Sequence, residues 1–261
     1  MKNKIYKSLL VALTFIFTIQ TINVFAAPTQ EFNWFVKRNG HNTPEFPKNA
    51  ENLTECNCIY IDNESASGIK DKTIYITFDA GYENGNVAKI ADILRDEQIT
   101  AAFFLLDNII LKNTDLINSL YNDGHLICNH TRNHKNLCKS SREEIEKSLK
   151  SLEDVYRDTT GREMDKFFRF PEGKYSKEAI SVVSDMGYTT VFWSFAYDDW
   201  DNKRQPTRER AISKVLDNTH PGAIMLFHPT SDTNAEIFPE LIAAWKSMGY
   251  SFGSLYDIIN K

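Results

Sequence analysis

From residue 72 onward, short β-rich apolar runs alternate with longer stretches of helical periodicity. The runs "TIYITF" (73–78), "AAFFLL" (101–106), "HLIC" (125–128), "FFRF" (167–170), "TTVFWS" (189–194), "AIMLF" (223–227) and a weaker "YSFG" (250–253) read as strands. Between them, 86–97, 114–122, 141–157, 176–186, 207–217 and 234–248 read as helices. Ser141 with Glu144 gives one of these a capping box, and Thr207 precedes another. Alternation of this kind implies an α/β fold with a parallel sheet and crossover helices. About seven repeats point to a closed or nearly closed, distorted (β/α) barrel, whose chemistry sits at the C-terminal strand ends.

The N-terminal part follows a different pattern. Lys2, Lys4 and Lys7 precede the apolar run "LLVALTFIFTI" (9–19), and Val24-Phe25-Ala26 offers small residues at a cleavage site. Residues 1–26 therefore read as a secretory signal peptide, with an uncleaved membrane anchor as the alternative. The apolar run is short beside the roughly 20 residues of a membrane span. Residues 27–70 are polar and irregular, an N-terminal extension expected to wrap the catalytic domain (71–261), with Trp34 and Phe35 pinning it. Export would remove three lysines and no acids, taking the formal charge from −5 to −8. Such a charge disfavours nucleic acid and anionic membranes and suits a neutral substrate. Cys56, Cys58, Cys128 and Cys138 match no zinc-ribbon or disulfide framework, and are expected to be small buried residues with one bridge open to them.

The strand ends carry the candidate chemistry. Asp79 follows the first run. His130 and His134, four apart as on a helical turn, follow the third. Arg169 lies within the fourth, ahead of "PEGKY". Asp199 and Trp200 follow the fifth, and His228-Pro229 follows the sixth. Each alone has an ordinary explanation: a helix cap, a structural histidine pair, a buried ion pair, a core histidine. A barrel would bring all five to one rim. Two neutral imidazoles suit a borderline divalent cation such as Zn²⁺. Asp79 could act as general base or as a ligand, Arg169 could adjust its pKa, and His228 could protonate a leaving group. Asp199 could hold Arg169 or tune His228. The reaction class is metal-assisted hydrolysis of an amide or ester. Tyr82, Tyr175, Tyr197 and Trp200 fall in the loops after strands, where aromatic faces stack on sugars or pack the loops themselves.

In order, "TFDAGYENG", "HTRNH", "RFPEGKY", "YDDW" and "LFHP" resemble the motifs of the polysaccharide deacetylase family, carbohydrate esterase family 4, with its NodB-type domain, over about 72–258. The resemblance implies metal-dependent removal of acetyl groups from N-acetylated sugars. Asp79 matches the base, His130 and His134 the metal ligands, Arg169 the arginine near the base, and Asp199 with Trp200 the fourth motif. Leu226 matches the apolar wall and His228 the acid. The family usually has a second, metal-binding aspartate where this chain has Ala80. The ion would then keep two histidines and water, recruit Asp79, or bind weakly. The "GYENG" segment resembles the N-acetylmuramic acid, or delta-lactam-biosynthetic, deacetylases of spore formers. That subgroup implies action on spore-cortex peptidoglycan during sporulation, after an N-acetylmuramoyl-L-alanine amidase has stripped the peptide. Tyr82, Glu83, Asn84, Pro171, Tyr175, Trp200 and Leu226 are the expected substrate contacts, and family analogy implies a monomer. The alternatives are a chitooligosaccharide or N-acetylglucosamine deacetylase and a non-catalytic glycan-binding protein. Retention of Asp79, Arg169 and His228 speaks against the last.

Overall fold

The structure, a computed structural model, describes residues 30–259; the expected signal peptide lies outside them. The extension supplies β1 (Phe32–Asn33), α1 (Glu51–Thr54), β2 (Cys58–Ile59) and α2 (Asn63–Ala66). There follow β3 (Thr73–Ala80), α3 (Asn86–Asp96), β4 (Ala102–Leu105), α4 (Asp107–Lys112), α5 (Thr114–Asn122) and β5 (Leu126–Asn129). Next come α6 (Arg142–Thr160), β6 (Asp165–Phe168), β7 (Lys174–Tyr175), α7 (Lys177–Asp185) and β8 (Thr189–Val191). The chain closes with α8 (Arg208–Leu216), β9 (Ile224–Phe227), α9 (Asp232–Ser247), β10 (Ser251–Phe252) and α10 (Tyr256–Ile259).

The strands β9, β3, β4, β5, β6, β8 and β2 form one curled parallel sheet, the distorted barrel that the alternation predicts, while β10 pairs with the base of β3. The gap between β8 and β9 is bridged twice. Ile61 of the extension pairs with Ala223, and Phe195 pairs with Met225, its carbonyl accepting from the Leu226 N–H at 2.8 Å. Helices cover the outer face, so β3 is buried along nearly its whole length, as strands covered on both faces are. Alternation along β3 sends Ile76, Phe78 and Ala80 to the layer shared with the helices and leaves Thr77 and Asp79 on the inner row. The inner core includes Tyr75, Phe104, Phe167, Val191 and Ile224. The Ser141–Glu144 capping box forms at α6, and Thr207 caps α8.

Several expectations are corrected. Arg169 is the first residue after β6, not inside a strand. The run 189–194 covers two different pairings: β8 ends at Val191, and Ser194 already bonds to Ile224 of β9. Trp34 pins the extension, 4 % exposed and stacked 4.5 Å from Phe192, whereas Phe35 is 60 % exposed. Part of the extension does more than wrap the domain, because β2 is a stave of the sheet itself. All four cysteines are free, and Cys56 is exposed rather than buried. Among the described residues no helix is long and apolar enough to cross a membrane.

Candidate active site

Arg169 organises one side of the rim. It is fully buried, with its guanidinium 4.1 Å from the Phe104 ring centre. Nη1 donates to Asp79 Oδ1 at 2.8 Å, Nη2 to Thr77 Oγ1 at 2.9 Å, and Nε to the Val191 carbonyl at 3.0 Å. A charge survives burial only when paired and hydrogen-bonded in this way. For Asp79, burial is the largest single influence and by itself raises the pKa. The charges of Arg169, then His130 and His228, with the Arg169 hydrogen bond, outweigh it and hold the carboxyl below its ordinary value.

The histidine pair does not sit on a helical turn. Residues 130–134 form a loop in which Thr131 (φ 68°) and His134 (φ 60°) adopt left-handed backbone. Asn129 braces the loop: Oδ1 accepts from the Thr131 N–H at 2.9 Å, and Nδ2 donates to the Leu149 carbonyl at 3.1 Å. The two rings lie 5.0 Å apart at 68°. His130 Nδ1 is 2.9 Å from the Arg169 carbonyl, which can only accept, so the proton is on Nδ1 and the Nε2 lone pair is free. Burial, opposed by Asp79 and assisted by His134, pushes the pKa of His130 down to about 4, keeping it neutral.

His130 Nε2 thus faces Asp79 Oδ2, two acceptors 3.5 Å apart. Two ligands about 2.05 Å from a tetrahedral ion are spaced by roughly 3.3 Å, so this pair fits a shared cation. Ala80 adds only a methyl group, itself buried in the outer layer. Among the described residues no group of three or more His, Cys, Asp and Glu is placed to hold a metal ion. The nearest such groups are the histidine pair, with rings 5.0 Å apart, and Asp79 Oδ2 beside His130.

The opposite wall carries His228, directly after β9. Its Nδ1–H donates to Asp199 Oδ1 at 2.8 Å and its backbone N–H to Asp199 Oδ2 at 2.8 Å. Asp199 therefore holds His228, while Arg169 belongs to Asp79. Asn234 of α9 donates to Asp199 Oδ2 at 2.7 Å and to the His228 carbonyl at 3.1 Å, and it accepts from the Tyr197 hydroxyl. Burial is again the largest influence and lowers the His228 pKa. Asp199, by charge and hydrogen bond, and Asp79 more than offset it, so the net shift is upward.

Asp79, His130, His134 and His228 line one cavity of about 910 Å³, walled by Tyr82, Tyr197, Trp200 and Leu226, as expected, and also by Trp34, Phe35, Arg38, Glu172 and Trp193. Four expected contacts are elsewhere. Glu83 caps its own loop by accepting from the Gly85 N–H, and Asn84 donates to the Thr230 carbonyl at 2.9 Å. Pro171 is buried outside the lining, and Tyr175 is fully buried, stacked on Phe32 at 5.5 Å, with Asn49 donating to its hydroxyl at 2.8 Å. The missed residues left faint signals. "WFVKR" (34–38) is an apolar and basic island in a polar extension, and Asn234 follows His228 by one turn and a half. Gly173 is required by contact, since a Cβ there would lie 2.7 Å from the Trp193 ring.

Residues 67–191 match the polysaccharide deacetylase family. The chain is 35 % identical over 237 residues to the peptidoglycan-N-acetylmuramic acid deacetylase PdaA of Bacillus subtilis, covering 90 % of this chain and 88 % of that protein. The chain belongs to the polysaccharide deacetylase family. The fold agrees: the B. subtilis PdaA structure, a family 4 carbohydrate esterase, superposes with a TM-score of 0.83 at 33 % identity, over 90 % of this chain and 99 % of that one. A family 4 carbohydrate esterase from Bacillus anthracis gives 0.73 at 30 % identity, over the same shares of the two chains. Like other polysaccharide deacetylases, the protein is a hydrolase acting on carbon–nitrogen bonds.

Proposed function

We propose that this deacetylase removes the acetyl group from N-acetylmuramic acid in peptidoglycan glycan strands. The observation that carries the chemistry is that Asp79 and His228 line one cavity, each paired behind it with a buried partner, Arg169 and Asp199 respectively. The similarity to B. subtilis PdaA supports the choice of sugar. Asp79, held anionic by Arg169, takes the proton of the attacking water on Oδ2. The oxygen adds to the acetyl carbon, the carbon–nitrogen bond breaks, and His228 delivers its Nε2 proton to the departing amine. Acetate and the free amino sugar leave. His130 Nε2 and His134 would hold a divalent ion, zinc by the chemistry of the donors, which when bound acidifies water and polarises the carbonyl. Tyr82, Trp200 and Leu226 wall the sugar.

In its biological setting, the protein is exported and acts on muramic acid whose peptide an N-acetylmuramoyl-L-alanine amidase has removed. The freed amine then closes on the lactyl carboxyl as muramic δ-lactam of the spore cortex. The test is acetate release by the purified protein from peptide-stripped glycan strands and from chitooligosaccharides, with δ-lactam measured in cortex from a strain lacking it. Release from the muramic strands and missing lactam are expected; preference for chitooligosaccharides with unchanged lactam would overturn the reading. Asp79→Asn should retain zinc and lose acetate release, whereas loss of zinc with the activity would make Asp79 a ligand instead.

A further inference from the structure

Apart from the histidines, the cavity lining has one cation, and the chemistry above leaves it unused. Arg38, from the extension, lines the same cavity as Asp79 and His228 and is exposed. The cavity's three carboxylates each have a cation: Asp79 has Arg169, Glu172 has Lys174, and Asp198 has Lys214 at 3.7 Å. Among the described residues no carboxylate pairs with Arg38. One Nη2–H goes to the Ala196 carbonyl at 2.7 Å, and the guanidinium lies 5.8 Å from the Phe195 ring centre. Most of its five N–H donors remain available to a ligand.

The segment carrying Arg38 is held on both sides. Before it, Trp34 bonds through its backbone N–H to the Gly173 carbonyl at 2.8 Å and through Nε1 to the Trp193 carbonyl at 2.9 Å. After it, Lys37 and Glu45 exchange backbone hydrogen bonds of 2.9 and 3.0 Å, and His41 Nδ1 meets the Thr219 carbonyl at 2.9 Å. An arginine fork on an anchored segment suits planar, bidentate recognition of a carboxylate. The overall negative charge of the chain, which by itself favours a neutral substrate, makes such a local cation necessary for an acidic one.

We propose that Arg38 is a carboxylate subsite that binds the free lactyl carboxylate of muramic acid and so selects peptide-stripped strands over both N-acetylglucosamine and peptide-bearing muramic acid, in which that group is absent or is an amide. This inference rests on the muramic acid reading above. The experiment compares acetate release from one muramic acid glycan in two forms, with the lactyl group as the free carboxylate and as the carboxamide, and from a chitooligosaccharide. The wild-type protein should favour the free acid by about tenfold or more in kcat/KM, chiefly through KM, as expected for a lost charged hydrogen bond. In Arg38→Gln the rates on acid and carboxamide should converge. Arg38→Lys, which keeps the charge without the fork, should fall between. A wild-type preference that survives unchanged in both variants would overturn the subsite and leave the muramic acid reading standing. A wild-type protein that treats acid and carboxamide alike also overturns the subsite. One that acts on the chitooligosaccharide alone overturns both.

Discussion

Replacing Asp199 by asparagine tests whether His228 is held as an acid. Asp199 is fully buried and accepts three hydrogen bonds, two from His228 at 2.8 Å and one from Asn234 at 2.7 Å. An amide cannot reproduce this. If its oxygen serves the His228 N–H and Asn234, its NH₂ must face His228 Nδ1, which then accepts and can no longer carry its proton. The lost charge matters as much. At 2.8 Å and an effective dielectric near 20, carboxylate and imidazolium attract by about 6 kcal/mol before desolvation is subtracted. With Asp199 neutral, burial, the largest influence on His228, is opposed only by Asp79. The pKa, raised in the native site, should then fall, and the protonated form should be lost at lower pH. Asp199→Asn should therefore lose about 10²-fold or more in kcat, the range in which general acids contribute, and its basic limb should move to lower pH. Steady-state acetate release between pH 5 and 9 reads both, with thermal melting to verify the fold. A variant within threefold of wild type, with its basic limb unmoved, would refute the assignment of His228 as the proton donor.

Three further outcomes are expected. Arg169→Met should cost about 3–5 kcal/mol in urea unfolding at neutral pH, because it strands Asp79 as a buried carboxylate; a cost below about 1 kcal/mol would contradict the pairing. Chelation should abolish acetate release and zinc should restore it, so undiminished release from protein shown to be metal-free would remove the ion from the proposal. His125 is buried with Nδ1 accepting from the Ala101 N–H at 3.2 Å, and burial pushes its pKa down to about 4. The unfolded chain binds that proton nearer pH 6.5, so stability should fall as pH drops through this window, by at most about 1.4 kcal/mol per pH unit from this group. His125→Gln should flatten that slope in urea titrations at pH 4.5 and 7, and an unchanged slope would place the acid sensitivity elsewhere.

Strand–helix alternation makes the barrel legible because each strand's apolar run and each helix's periodicity are local properties. The rim chemistry is legible for the same reason: Asp79 is near the end of a strand, and His130, Arg169 and His228 directly follow one. Pairings across the sheet are not local. Nothing near Asp199 in the chain says that it meets His228 rather than Arg169; that depends on where β8 and β9 approach each other. The histidine pair shows a subtler failure. Spacing of four suggests a helical turn, but here Asn129 and two left-handed residues fold a loop that brings the rings together. Tyr175 and Trp200 both come after apolar strand runs in the sequence, yet Tyr175 lies in β7, where Phe32 of the extension pairs with and covers it, whereas Trp200 is 64 % exposed at the cavity. The extension's own contribution, Trp34 through Arg38, could be placed only once its partners Gly173 and Trp193 had a position.

The two dyads show why a rim assembled from separate strands suits this reaction. A hydrolysis that must take a proton at one point and give one at another needs two groups whose pKa values are pushed in opposite directions within one cavity. Burial alone would do the reverse, neutralising both Asp79 and His228. Each is rescued by one buried partner of opposite charge, supplied by a different segment of the chain. Arg169 goes further, since its side chain sets the charge of Asp79 while its carbonyl sets the tautomer of His130. The anion and the neutral imidazole that face each other across 3.5 Å are therefore fixed by one residue. Asn234 has the matching place opposite, touching both Asp199 and the backbone of His228. Because each half hangs on a single fully buried polar residue, loss of Arg169 should damage proton removal and ion binding together, while loss of Asn234 should damage proton delivery alone.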